Sequence, residues 1–411
     1  MPPHELPLKG MRVLDFAWVW SGPQVASWLT ELGAEVIKVE HGRRLDNTRL
    51  RSRPIIDGVQ AQGPSIELHP YFHQSNHGKR SITLNLKQPQ AQALARELVK
   101  TSDVLIENLS PGVMARSGLG YPEVAEINPS LVYLSMSALG QTGPQSDLRA
   151  YAPVMSSYAG IEAQIGYPGE SPVGMMNFGL GDPNAAAHAM VPLLAALWER
   201  ERSGAGCHID MAQIEAMISA LPQPAIEVLL GAELSPPPGN RSREQVPHGI
   251  FPAHGDDTWV SLSVANESQW LAFCARVREP WCADSRFSTL QGRLTHVEEL
   301  EKLVSGWTRK WTRERLASDL RALGIACTPV FSVSEQWGSG QVRDRGIYRS
   351  VTHPQLGEVM LYTLPWTSPD MPLAMERAAP TLGQDNDYVL GELLGLSAQR
   401  IAELKEADVI S

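Results

Sequence analysis

Apolar and polar positions along the chain fall into short blocks whose period switches between that of a strand and that of a helix. MRVLDFAW (11–18) is an apolar run of strand length. PQVASWLTEL (23–32) has helical spacing, with Pro23 at a favoured first position and Gly33 as its stop, and AEVIKVE (34–40) reads as the next strand. The alternation repeats: QAQALARELVKTS is helical, and DVLIEN (103–108) and LVYLSMSA (131–138) are strands. Strands alternating with helices predict an α/β fold with a parallel sheet covered on both faces. SITLNL (81–86) alternates strictly and predicts a half-buried strand. A long helix is expected over 183–200, kinked at Pro192. The Pro-, Gly- and charge-rich stretch 235–249 predicts a loop near a domain boundary. TWVSLSVAN and the helical stretches within 267–325 then form a smaller α+β unit.

The chain has 411 residues, enough for two or three domains with their own cores, and a formal net charge of −10. An acidic chain without a basic stripe excludes nucleic acid as the expected partner, and any anion must be met by a local basic patch. No apolar stretch is long enough to span a bilayer, and MPPHELPLKG lacks a signal-peptide core, so no membrane association and a cytoplasmic location are expected. Cys207, Cys274, Cys282 and Cys327 form no C-x-x-C pair and predict reduced, mostly buried thiols.

The sharpest local feature is Gly179-Leu180-Gly181-Asp182-Pro183-Asn184. Asp182 stands where a helix N-cap is expected, with Pro183 at the first helical position. A structural cap is one reading. The other is a nucleophile: the glycines let a ligand approach the backbone, and the helix dipole favours the ionised carboxylate. The segment is not a dinucleotide fingerprint, because the third small residue is missing and an acid follows the second glycine; Trp20-Ser21-Gly22-Pro23 lacks the fingerprint too, which disfavours an oxidoreductase. His69, His73 and His77 recur every four residues, but Pro70 and Gly78 interrupt a common helix and no acid or cysteine stands at ligand spacing. We read them as surface or pocket histidines and expect no metal site. Arg43, Arg44, Arg49, Arg51 and Arg53 form either a solvated loop or a patch for phosphates or carboxylates. Trp18, Trp20, Tyr71, Phe72, Tyr151, Tyr158, Met155, Met175, Met176 and Phe178 are core residues or the lining of an acyl pocket.

Together, LKGMRVLDFAWVWSGPQVASWLTELGAEVIKVE (8–40), NHGKRSITLNLK (76–87), DVLIENLSPGVMARSGLGY (103–121), LVYLSMSALGQTGP (131–144), GLGDPNAAAH (179–188), ERSGAGCHIDMAQIEAM (201–217) and APTLGQDNDYVLGELLGLS (379–397) resemble the class III CoA-transferase family over nearly the whole chain. That family includes formyl-CoA transferase, carnitine CoA-transferase and alpha-methylacyl-CoA racemase. The resemblance implies a CoA-transferase with Asp182 as covalent nucleophile. It implies coenzyme A contacts at Lys79, Asn108, Leu109 and Arg116. It also implies a Rossmann-like large domain from residues 1–224 and 331–411, a small domain at 225–330, and an interlocked dimer, homomeric or with a related unlike subunit. Coenzyme A and acyl-CoA enter as substrates beside a free carboxylic acid, with no tightly bound cofactor.

The racemases' His-Asp pair appears here as Tyr151-Ala152, which argues against an acyl-CoA racemase or isomerase. Trp20 replaces a glutamine of formyl-CoA transferase, and Leu139 replaces one of its aromatics. A bulky acceptor is therefore expected, and the aromatics together with the arginine cluster suit an aromatic or dicarboxylic acid. Retention of Asp182 argues against a non-catalytic partner subunit.

Overall fold

The computed structural model describes residues 5–50, 66–175, 178–234 and 236–411, with the backbone of 55–56 and 59–60. The chain divides into two compact units, one of residues 1–161, 175–226 and 341–411, the other of 162–174 and 227–340.

The first unit is built on a six-stranded parallel sheet of β1 (Arg12–Asp15), β2 (Glu35–Glu40), β3 (Arg80–Thr83), β4 (Val104–Glu107), β5 (Val132–Ser135) and β6 (Cys207–Asp210). Their order across the sheet is β3-β2-β1-β4-β5-β6. Strand order reverses between β1 and β4, so a crevice opens beyond their carboxyl ends, the usual ligand position in such sheets.

The strands place alternate residues on opposite faces. Leu14, Ile37, Ile82, Leu105 and Tyr133 pack on one side with Ala95, Leu98 and Val99 of helix α3 (Pro89–Lys100). Val13, Val36, Val104, Val132 and Leu134 pack on the other with α1 (Ser21–Glu31) and α7 (Gly181–Ser203). Each fully buried Val, Leu or Ile contributes about 1.5–3 kcal/mol, so the two layers dominate the stability of this unit. Gly22 shows how closely the start of α1 lies on the loop after β1: a Cβ there would stand 2.4 Å from the Ala17 side chain. Small residues serve α7 similarly, with Ala185, Ala186 and Ala189 fully buried. This helix runs unbroken past Pro192.

SITLNL is more covered than its alternation predicts: Ser81, Ile82, Thr83 and Leu84 are buried, and Asn85 and Leu86 are partly exposed. β3 is shorter than the alternation suggests, and Ser81, Ile82 and Thr83 are all covered. The cover is the C-terminal segment: Asp385 and Asn386 side chains accept from the Ser81 and Thr83 amides at 2.9 Å, and the Thr83 hydroxyl donates to Ser411 O. These partners lie some 300 residues away in the chain, beyond the reach of a local pattern.

The second unit has a three-stranded antiparallel sheet of β7 (His248–Pro252), β8 (Trp259–Ser263) and β9 (Ala326–Pro329), with β8 central. Its core gathers Val260, Leu262, Trp270, Phe273, Trp307 and Leu316. No helix among the described residues is long and apolar enough to cross a membrane.

Candidate functional site

At the crevice, the loop after β1 and the loop after β4 lock together. The Trp18 amide donates to Asn108 Oδ1, and Asn108 Nδ2 donates back to Trp18 O, both at 2.7 Å. These loops, the first turn of α1 through Ser21 and the first turn of α7 through Asp182 surround an open cavity of about 490 Å³. Asn108, Leu109, Arg116 and Asp182 all line it. A narrower cavity of about 200 Å³ adjoins it, sharing Trp18, Arg44, Leu109 and Val113.

Asp182 is not an N-cap. α7 begins one residue earlier, at Gly181, with Leu180 as N-cap and Asp182 in the first turn. Its carboxylate therefore sits at the positive end of a 23-residue helix, where the dipole favours the ionised form. Pro183 has no N–H, and the Asn184 amide donates to Leu180 O. Neither Pro183 nor Asn184 therefore offers a backbone N–H to a ligand.

Lys79 stands apart from the other four. It lines neither cavity. Its ammonium is fully buried and donates to Asp15 Oδ2 at 2.7 Å and Asn76 Oδ1 at 2.8 Å. Burial pushes its pKa down to about 8, against the pull of Asp15. In this position the group braces the carboxyl end of β1 and is buried away from both cavities, which does not favour the coenzyme A contact expected of it. The lysine of the same segment that does face a cavity is Lys87, exposed in the narrower one with Arg43 and Arg44. Its position past the carboxyl end of β3 is the signal that could have found it.

The arginine run divides. Arg49 is fully buried between Glu40 and Glu67. Arg43 pairs with Asp408 at 3.0 Å, while Arg44 lies over the Trp18 ring, 4.7 Å from its centroid, at the junction of the two cavities. Arg51 and Arg53 lie outside the described residues, as does Met176. Sequence reasoning passed over Arg149, which lines the larger cavity together with Arg44, Arg116, Tyr151 and Met155. Arg44, Arg116 and Arg149 are exposed, and among the described residues no carboxylate pairs with any of them. The cavity holding Asp182 thus carries three guanidiniums open to an anionic ligand.

Of the aromatics, Trp20 packs edge-on against Tyr71 at 5.3 Å and Phe72 is core, while Trp18 and Tyr151 face the cavity. The three histidines are buried rather than superficial. His77 bonds Glu31 at 2.9 Å and His73 bonds Glu67 O, so they tie α2 (Pro70–Asn76) into the fold. Glu107, at the end of β4, accepts from the Leu109 amide at 2.8 Å behind the cavity wall. Burial raises its pKa to about 7, although hydrogen bonds from Ser135 and Leu109 work the other way.

Known proteins share both sequence and fold. The profile of CoA-transferase family III matches residues 8–386. The succinate–glutarate CoA-transferase of Agrobacterium fabrum is 31% identical over 96% of this chain and 97% of its own. The succinyl-CoA–D-citramalate CoA-transferase of Chloroflexus aurantiacus is 30% identical, covering 100% of this chain and 99% of its own. A CAIB/BAIF family protein from Brucella suis superposes with a TM-score of 0.84 at 28% identity, over 94% of this chain and 99% of its own. With a matching profile over most of its length and a parallel sheet that opens an anion-ready cavity at its switch point, the chain belongs to CoA-transferase family III and is an acyl-CoA:carboxylate CoA-transferase.

Proposed function

We propose that the enzyme transfers coenzyme A from a donor acyl-CoA to a dicarboxylic or bulky acid through a covalent aspartyl-CoA thioester on Asp182. The observation that carries this reading is one cavity lined both by Asp182, at a helix start, and by three arginines that pair with no carboxylate among the described residues. The carboxylate attacks the donor thioester carbonyl and expels CoA thiolate, leaving a mixed anhydride. The thiolate attacks the aspartyl carbonyl, releasing the donor acid and forming the aspartyl-CoA thioester. The acceptor carboxylate then displaces the thiolate, giving a second anhydride. Attack of the thiolate on the acceptor's carbonyl yields the new acyl-CoA and restores Asp182. Thioester energy is retained throughout. The Gly181 amide, beside Asp182 at the helix start, is the proposed oxyanion donor.

Coenzyme A would enter through both cavities, its phosphates near Lys87, Arg44 and Arg116 and its thiol toward Asp182. Two named relatives act on succinate, glutarate or citramalate, and this supports an acid with a second carboxylate. A dimer is part of the reading. Val191, Leu194 and Trp198 form an outward stripe on α7, and both Val191 and Trp198 are 71% exposed, more apolar surface than a free helix face ordinarily shows. A folded monomer in sedimentation at nanomolar concentration would overturn that part.

The chemistry is tested by Asp182→Asn. Asparagine keeps the size, so the fold should survive, but an amide is a very poor acyl acceptor and turnover should fall to background. Wild-type enzyme given donor acyl-CoA and then hydroxylamine should carry a hydroxamate at residue 182, read as a mass shift on that peptide. Full activity in a verified Asp182→Asn preparation removes the nucleophile and the steps built on it.

A further inference from the structure

The loop Ala17–Trp20 forms one wall of the larger cavity and carries an unusual backbone. Val19 adopts φ 69°, the left-handed region, where a β-branched residue is rarely found. Such a conformation persists only where the surroundings over-determine it. Here they do. The Ala17 amide donates to Asp15 Oδ1 at 2.9 Å, and Ala17 O accepts from Lys38 Nζ at 2.8 Å. Asn108 holds both backbone polar groups of Trp18. The Val19 amide donates to both carboxylate oxygens of Asp46, at 3.2 and 3.3 Å. Lys38 and Asp46 are themselves fully buried and paired at 3.1 Å, and neither lines the cavity.

A buried ion pair is not stabilising by default, since an apolar pair of similar volume is often as good. This one stays charged. Burial works against the Lys38 ammonium, but Asp46, Asp15 and Glu40 together hold its pKa above the ordinary lysine value. Burial works against the Asp46 carboxylate too, and Lys38 and Thr48 hold its pKa below the ordinary range. Two charges kept in the interior, each gripping a backbone group of the same strained turn, have a geometric role.

We infer that the Lys38–Asp46 pair is a positioning device for the transfer reaction. It clamps Ala17 O and Val19 N–H, keeps Val19 left-handed, and so fixes Trp18 and Ser21 as the wall against which the thioester is presented to Asp182. The inference rests on the Asp182 reading and adds to it residues that never touch substrate.

The test replaces the pair by apolar residues, Lys38→Met with Asp46→Leu, and reads kcat and KM for acyl-CoA per folded molecule. The expected loss is in kcat, on the order of 10²-fold for a displaced reacting geometry, with KM for the CoA ester little changed. Val19→Gly added to that background should recover kcat several-fold, because glycine adopts φ 69° without a clamp. Val19→Ala, which keeps the Cβ, should not. Asp46→Asn, which preserves volume, carries the same comparison if the double variant does not fold. Unchanged kcat, or a loss that glycine and alanine at position 19 leave alike, overturns the proposal. Failure of the Asp182 reading shows separately, as activity in Asp182→Asn, and leaves the glycine-against-alanine comparison readable.

Discussion

Two sets of cations belong to the parallel-sheet unit, and they do opposite things. Beneath the crevice, Lys38, Arg49 and Lys79 are fully buried, each held by a carboxylate within 3.1 Å. Above it, Arg44, Arg116, Arg149 and Lys87 are exposed, and no carboxylate among the described residues pairs with them. An anionic substrate can be bound only by a cation whose field is not already neutralised. The buried set therefore shapes the cavity, and the open set is available to a ligand. Residue type and position in the chain do not separate the two; the partner does.

The largest effect that would break this division concerns Lys79. Lys79→Met leaves the buried Asp15 carboxylate without its cation, and breaking such a pair costs about 3–5 kcal/mol. The melting temperature should drop sharply, while the folded fraction keeps its KM for acyl-CoA. A raised KM with unchanged stability would move Lys79 into the ligand-binding set.

Glu107 sharpens the comparison from the acid side, because it is a buried carboxylate whose hydrogen-bond partners are neutral. Burial raises its folded pKa to about 7 from 4.5. As pH rises through that window the unfolded chain releases its proton first, so unfolding is favoured and stability falls, levelling off above about pH 7. The upper bound is about 3 kcal/mol. Glu107→Gln should remove this slope. Denaturant titrations of both proteins between pH 4.5 and 8 would show it as a difference curve, and parallel curves would refute the assignment.

How much of this was legible beforehand follows the same division between local and distant causes. Most of the sheet could be read because its central strands carry their own apolar runs, as in Val104–Glu107. The edge strand Cys207–Asp210 carries none and was not read. The Gly-Leu-Gly-Asp-Pro-Asn segment drew attention to Asp182 unaided. The exact start of α7 could not be read, because neither Leu180 nor Gly181 is a typical helix-start signal and Asp-Pro looks like one. Lys79 and Lys87 sit in one segment and look alike; Asp15, 64 residues from Lys79, decides between them. The buried histidines were misplaced for the same reason, since His77 meets Glu31 across 46 residues. Arg149 has no distinctive neighbours in sequence, and only the closing of the cavity gives it a role.

Within the open set, Arg116 should matter to every donor. Arg116→Ala should raise KM for all acyl-CoA esters about tenfold, since a charge-assisted hydrogen bond is partly screened at an exposed site. The effect should shrink at high salt and be the same whichever acyl group is attached. A KM change confined to one acyl group would assign Arg116 to the acid and not to coenzyme A.

Arg149 should show the smallest effect and the most selective one. It lines the cavity that contains Asp182 beside Tyr151 and Met155, and we expect it to meet the acyl end of the substrate. Tyr151 and Met155 line the same cavity and can pack on the acid's carbon chain, while the guanidinium meets a second carboxylate. At an exposed site such a contact contributes about 0.5–1 kcal/mol, or roughly two- to fivefold. Arg149→Met should lower kcat/KM for a dicarboxylate acceptor by that factor while sparing a monocarboxylate of equal length. Arg149→Lys should restore part of it, because the charge returns without the bidentate fork. Equal losses for both acids would mean that Arg149 acts on the coenzyme or on the general field of the cavity, and the line between shaping and binding cations would then leave acceptor choice to the apolar wall.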